Sequence, residues 1–326
     1  MRILGSLRLH FICTFIALNA WGPVAQAADH ILVGDIGSGS ALHWPIYIAL
    51  KKGIFSANNI DFEWLPTQSS SQVAQQTAAG SLNLGMLGIA DAIRAADAGA
   101  PIKFVRVEIG PPPFEILAEK NIKSIAGLRG KTIMIGGAHD ISRFYWEDIV
   151  KANGLKLEDF DYIYAGSTTA RYAALVSGSI AATILSPPLN YEAASHGFNQ
   201  LARTSDFTKG YPFTLYVENK SWAAKNPAAI SHFRTSYAQA VDWFLDKNNR
   251  NEAINILIHS MSSTQEDAEK SYEFLQDIRT YDRTGDIASS GIESFVAILK
   301  KEKQVSANFD VDQYIDKETA SSAATK

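Results

Sequence analysis

From residue 30 onward the chain alternates short continuous apolar runs with segments of helical period. The run His30–Asp35 reads as a strand, Gly37-Ser38-Gly39-Ser40 as a small-residue loop, and Ala41 to Lys52 as a helix that Gly53 stops. The unit then repeats. A strand at Ile60–Leu65 leads to Thr67-Gln68-Ser69-Ser70-Ser71, whose hydroxyls can cap a helix reaching Gly80. Leu82–Leu87 is a third strand ending in Gly88, Asp91–Ala98 a short Ala-rich helix, and Ile102–Ile109 a fourth strand. This alternation predicts a mostly parallel sheet flanked by helices.

Pro111-Pro112-Pro113 breaks the pattern, and Phe114–Ala118 reads as an extended crossing into a second series. That series holds a strand at Lys131–Ile135, the loop Gly136–Asp140, a helix at Ile141–Asn153, a strand at Tyr162–Ala165, a helix at Ala170–Ser177, and a strand at Ala181–Leu185 before Ser186-Pro187-Pro188. Its last strand and loop end near Lys209, and Tyr211–Glu218 crosses back. Helical patterns follow at Pro227–Lys247, Glu252–Ser260, Thr264–Asp277 and Ile287–Glu302. The predicted fold is α/β, with two α/β domains joined by two hinge crossings. Residues 28–114 and 215–317 form the first domain, 115–214 the second, and 318–326 a polar tail. A cleft between two such domains is a preferred place for a small ligand.

Composition changes the picture at the amino terminus. Arg2 and Arg8, an apolar stretch Leu9–Ala20, and Ala25-Gln26-Ala27 form a secretory signal pattern with cleavage expected after Ala27. Removing it takes the formal charge from −4 to −6 and removes Cys13, the only cysteine. A mature chain of that kind holds no disulfide and no thiolate. With 30 Lys and Arg against 34 Asp and Glu, and no basic cluster, nucleic acid is not an expected partner. The mature histidines lack the spacing of a metal site, so neither a metal nor a cofactor is expected.

Four segments carry a resemblance. Pro45–Phe55 is similar to a "P-x-y-x-A-x-x-x-G-x-F" first helix, Ala79–Gly85 to a "G-x-l-D-x-G" turn, Ile125–Lys131 to "sLkDLkGKk", and Arg171–Ile180 to "R-x-x-A-L-x-s-G-x-v". In these the chain resembles type II periplasmic solute-binding proteins, in the group serving ABC importers of nitrate, sulfonates and taurine together with binders of thiamine pyrimidine precursors. It departs at Asn83 and Ala181, where the group usually carries aspartate. The resemblance implies a monomeric periplasmic receptor whose closed form meets an ABC permease and its ATPase. It also implies contact with the membrane only through that partner.

The loops at strand ends supply the candidate ligand contacts. Ser38, Gly39 and Ser40 read either as a connector or as part of a pocket, with His43 as donor and Trp44 as stacking surface. Ser70 reads as a cap or an anion donor, and Gly88 closes its strand. In the second series the candidates are Gly137, His139, Asp140, Ser142, Gly166, Ser186, Pro187 and Tyr191. Arg143 is either a cation for a carboxylate or sulfonate, or the partner of Glu147 four residues on. Phe114, Tyr211 and Phe213 flank the ligand or pack the hinge, with packing favoured for Phe213. Arg171 reads as structural.

The leading expectation is a non-catalytic receptor for an aromatic or planar organic acid or a pyrimidine-like heterocycle, with a sulfonate or taurine next. A ligand-sensing adaptor for a membrane receptor is the alternative. A pyrimidine-precursor synthase is the remaining reading. The resemblance implies a cysteine-rich iron motif for such an enzyme, and the mature chain has no cysteine with which to build one.

Overall fold

The computed structural model describes residues 27–36, 40–208, 210–287 and 291–316. The signal segment through Gln26, the tail, Ser38 and Gly39 therefore lie outside the described residues. The strands are β1 (Asp29–Ile36), β2 (Ile60–Thr67), β3 (Leu84–Gly88), β4 (Ile102–Ile109), β5 (Glu115–Ala118), β6 (Thr132–Ile135), β7 (Asp161–Tyr164), β8 (Ala182–Leu185), β9 (Asn199–Arg203) and β10 (Thr214–Asn219). They form two five-stranded sheets, in the orders β2-β1-β3-β10-β4 and β7-β6-β8-β5-β9.

In the first sheet β1 pairs parallel with β2 and β3, while β10 pairs antiparallel with β3 and β4. The second sheet repeats the scheme, with β6 parallel to β7 and β8 and β5 antiparallel to β8 and β9. Four strands of each sheet thus share a direction. The fifth is the strand by which the chain has just crossed. Both expected crossings end as sheet members, because each extended segment carries unpaired backbone groups that burial requires it to satisfy. β3, β8 and β10 are buried throughout, whereas the edge strand β2 alternates and carries Pro66, which an edge tolerates.

Local chemistry sets the helix starts around the gap between the sheets. Ser69 accepts from the Gln72 amide to cap Ser70–Ala79, Asp140 accepts from the Ser142 amide to cap Ile141–Ala152, and Gly88 precedes Ile89–Asp97. The helix expected from Ala41 is shorter and begins at Trp44. Ser40 caps a single 3-10 turn, Ala41–His43, and Pro45, which has no N–H, sits in the first turn of Trp44–Lys51. Helices Pro227–Leu245 and Arg250–Met261 pack against that short helix and bury Trp44. Among the described residues no helix is long and apolar enough to cross a membrane.

Candidate functional site

A cleft of about 340 Å3 lies between the two sheets. Its walls are residues that follow strands: Ile36 at the end of β1, Ser69–Ser71 after β2, Gly136–Asp140 after β6 and Gly166 after β7, with Asp91 and Arg94 on the helix after β3. Ligands of open α/β sheets bind at strand carboxyl ends, where helix amino termini point. Among the larger spaces, two of about 420 and 430 Å3 are lined by the first half alone, and two more lack that construction as well. One, of about 570 Å3, lies beside Pro111, Pro112 and Tyr211 at the crossings. The other, a charged groove of about 740 Å3, runs along the Gln265–Asp277 helix.

At the rim the two halves touch directly. The Ala41 amide donates to the Pro187 carbonyl at 3.0 Å, and the Ser40 and Ser186 hydroxyls lie 3.2 Å apart. A Cβ built on Gly88 would stand 3.2 Å from Cγ2 of Ile141 in the other half. Gly166 is tighter still, with Cβ space only 2.4 Å from the Gln68 carbonyl oxygen.

Of the residues expected to hold a ligand, the cleft gathers Ser70, Gly137, His139, Asp140 and Gly166. Ser70 is oriented by accepting the Gly88 amide at 3.0 Å. Ser40, Ser186, Pro187 and Gly88 serve the contact between halves. Ser142 is buried and its hydroxyl accepts from the Gly136 amide at 2.8 Å, which shapes the loop behind the cleft. Tyr191 faces the separate charged groove.

Two expectations are corrected. Trp44 presents no stacking surface: it is wholly buried, its indole Nε1 donates to the Ala253 carbonyl at 2.9 Å, and its ring packs against Phe244 and Tyr272. Arg143 is not a waiting cation. Its guanidinium takes Glu302 with two hydrogen bonds, at 2.7 and 3.3 Å, and reaches Glu147 at 3.0 Å. Those carboxylates outweigh the effect of burial and raise its pKa. Arg171 is buried and donates to the carbonyls of Ala165, Gly166 and Ile184, so it fixes the ends of β7 and β8. Phe213 packs edge-on to Phe114, and Tyr211 stacks on Tyr145, so these aromatics pack the hinge.

His43 lies beneath the rim. Its Nδ1 stands 3.0 Å from Asp35 Oδ2 with both side chains nearly inaccessible, and its ring meets Trp64 edge-on. Burial opposes the imidazolium, but Asp35 and Glu108 outweigh it and hold the pKa above the ordinary value. Burial lifts the Glu108 carboxyl to about 7 against the opposing charge of His43. Thr214 and Tyr216 also donate to it. A carboxyl raised on folding contributes stability that is complete below its unfolded pKa and is lost as pH rises through the folded one. His43 acts in the same direction. Thermal melts should therefore show stability falling as pH rises through about 7, and Glu108→Gln should flatten that fall. An unchanged slope would remove Glu108 as its source.

Asp91 and Arg94 were not legible as site residues. Asp91 Oδ1 accepts from the Arg94 guanidinium at 2.7 Å, and Arg94 also donates to Gln304 at 3.0 Å. The available signal was an Asp–Arg pair three residues apart in an otherwise Ala-rich helix directly after a strand-ending glycine.

Two mixed five-stranded sheets facing each other across a cleft at their strand ends define the periplasmic-binding-protein fold. The alkanesulfonate-binding protein SsuA from Xanthomonas axonopodis pv. citri, solved with MOPS bound, superposes with a TM-score of 0.71 at 15% identity, covering 88% of this chain and 97% of that one. Residues 40–250 match the NMT1/THI5 like family model, and the chain belongs to that family. A 4-amino-5-hydroxymethyl-2-methylpyrimidine phosphate synthase from Candida albicans is 22% identical over 219 residues, a match spanning 62% of this chain and 63% of the synthase. The formylaminopyrimidine-binding protein of Halalkalibacterium halodurans is 22% identical over 226 residues, covering 67% of each.

Proposed function

We propose that the protein is the periplasmic solute-binding component of an ABC importer, which closes its two halves over one small organic ligand and does no chemistry on it. The observation that carries this reading is the cleft itself, walled from both sheets and bridged at its rim by Ala41–Pro187 and Ser40–Ser186. Residues 28–114 with 215–317 form one closing domain and 115–214 the other, moving about the two crossings. The signal pattern ending at Ala27 supports export, and a permease with its ATPase is the partner.

Ser70, Gly137, His139, Asp140 and Gly166 contact the ligand. A pyrimidine-like heterocycle suits this wall better than the aromatic acid or sulfonate, since Arg94 and Arg143 are already paired with carboxylates. Binding is favoured over synthesis because the one cysteine, Cys13, falls within the signal segment. The test is to purify the protein natively, release its small molecule, identify it by mass spectrometry and return it to stripped protein. A true ligand at 100 times its dissociation constant adds about 2.7 kcal/mol and raises the melting temperature. A protein that releases nothing, and that no small molecule stabilises, is not such a receptor.

A further inference from the structure

A pocket of about 430 Å3 lies within the first half, at the end of its sheet remote from the cleft. Its floor is Glu218, the last residue but one of β10, which pairs in register with Leu84 at the start of β3 and with Lys103 near the start of β4. The cleft, by contrast, gathers loops that follow strands. Asp316, Lys103 and Lys220 also line the pocket, and Ala223, Ala224, Pro227 and Ile230 give it an apolar wall.

Nothing in the fold satisfies Glu218. The residue is only 4% exposed, and its Oε2 is enclosed without a hydrogen-bond partner. Folded proteins rarely leave a buried carboxyl so, because its lost hydration is then uncompensated. Burial raises its pKa and the charge of Asp316 adds to the rise, while Lys103 and Arg234 oppose it. Asp316 itself is answered by the charge of the buried Arg234. Among the described residues no three His, Cys, Asp or Glu side chains are placed to hold a metal ion, so the partner Glu218 lacks is an N–H donor. Lys103 stands opposite Glu218 in register yet makes no ion pair with it, and among the described residues neither the Lys103 nor the Lys220 ammonium has a hydrogen-bonded or ionic partner. A carboxyl without a donor and two ammonium groups without an acceptor therefore surround one apolar wall. An anion alone would meet Glu218 and Asp316, and a cation alone would meet Lys103 and Lys220. A ligand bearing both charges answers both sets.

We propose that this pocket is a second binding site, separate from the cleft, for a small amino carboxylate: Glu218 accepts from its ammonium, Lys103 and Lys220 donate to its carboxylate, and Ala223, Ala224, Pro227 and Ile230 cover its alkyl body. The site does not depend on the receptor reading above. The experiment is calorimetry on the full mature chain with γ-aminobutyrate, δ-aminovalerate and ε-aminocaproate, against valerate and pentylamine, which carry one charge each. At least one amino carboxylate should bind about tenfold or more tightly than either single-charge probe, and Glu218→Gln and Lys220→Ala should each weaken it by about the same factor. Glutamine keeps the shape of Glu218 and removes its repulsion with Asp316, so the melting temperature of the ligand-free variant should hold. Lys220 is exposed, so Lys220→Ala reads binding without disturbing the core. Gly166→Ala alters only the cleft and should leave this binding intact. A probe lost in Gly166→Ala but kept in Glu218→Gln sits in the cleft and overturns the proposal, as does pentylamine or valerate binding as tightly as the amino carboxylates, or no binding by any of the three.

Discussion

Gly166→Ala is expected to hold the two halves of the molecule apart. In the closed arrangement the added Cβ would lie 2.4 Å from the Gln68 carbonyl oxygen and 3.3 Å from the Ser69 Cα. Both are backbone atoms at the capped start of the Ser70–Ala79 helix, so no side-chain rotation relieves the clash. Gly136 is the useful contrast, because its equivalent clash is with the Asp140 carboxylate, a side chain that can turn. Gly166 does not have a positive φ, so alanine costs an open form nothing in backbone strain. Overpacking of this kind costs about 1–3 kcal/mol. Charged entirely to the closed form, that is roughly a fivefold to 150-fold loss of ligand affinity. Small-angle scattering should show a larger radius of gyration, while the melting temperature of the ligand-free protein stays near wild type. Unchanged dimensions and unchanged affinity together would mean that the Gly166–Gln68 contact does not form in the binding-competent state.

The same contact illustrates what the amino-acid sequence carries and what it does not. Alternation of apolar runs with helical segments was enough to place most strands and to foresee two sheets, because burial on both faces writes itself as continuous apolar residues such as Leu84–Gly88. It could not say that β5 and β10 would run antiparallel inside their sheets. An extended run looks the same in either direction, and the partner is set by the tertiary fold. At the site, position was legible and direction was not. Glycines, serines and Asp140 at strand ends were identifiable because loops at strand termini are where such folds bind. Trp44 and Arg143 stand close to the same loops, yet one turns into the helical layer and the other toward Glu302, a residue 159 positions away that local spacing cannot reveal. Asp91 was hidden for the opposite reason. It sits in the first turn of a helix, where an aspartate is already explained by the helix dipole.

Trp44→Ala should produce the largest loss of stability of any substitution considered for this protein. The indole is fully buried between Phe244, at 5.2 Å between ring centroids, and Tyr272, at 5.8 Å. Truncating a buried tryptophan costs about 3–5 kcal/mol. The Ala253 carbonyl keeps its partner within the Arg250–Met261 helix, so loss of the Nε1 hydrogen bond adds only about 0.5–1.5 kcal/mol. Against the 5–15 kcal/mol that holds a typical domain together, this is enough to bring the variant close to unfolding at physiological temperature. Chemical denaturation measures the loss, and Trp44→Phe, which refills most of the volume, should recover the larger part of it. The milder variant also separates the packing role from a ligand-stacking role. A tryptophan enclosed by helices does not change its surroundings when the cleft fills, so Trp44→Phe should retain the ligand-induced fluorescence change of wild type. Disappearance of that signal in a stable Trp44→Phe protein would place the ring in communication with the ligand and contradict its assignment to the core.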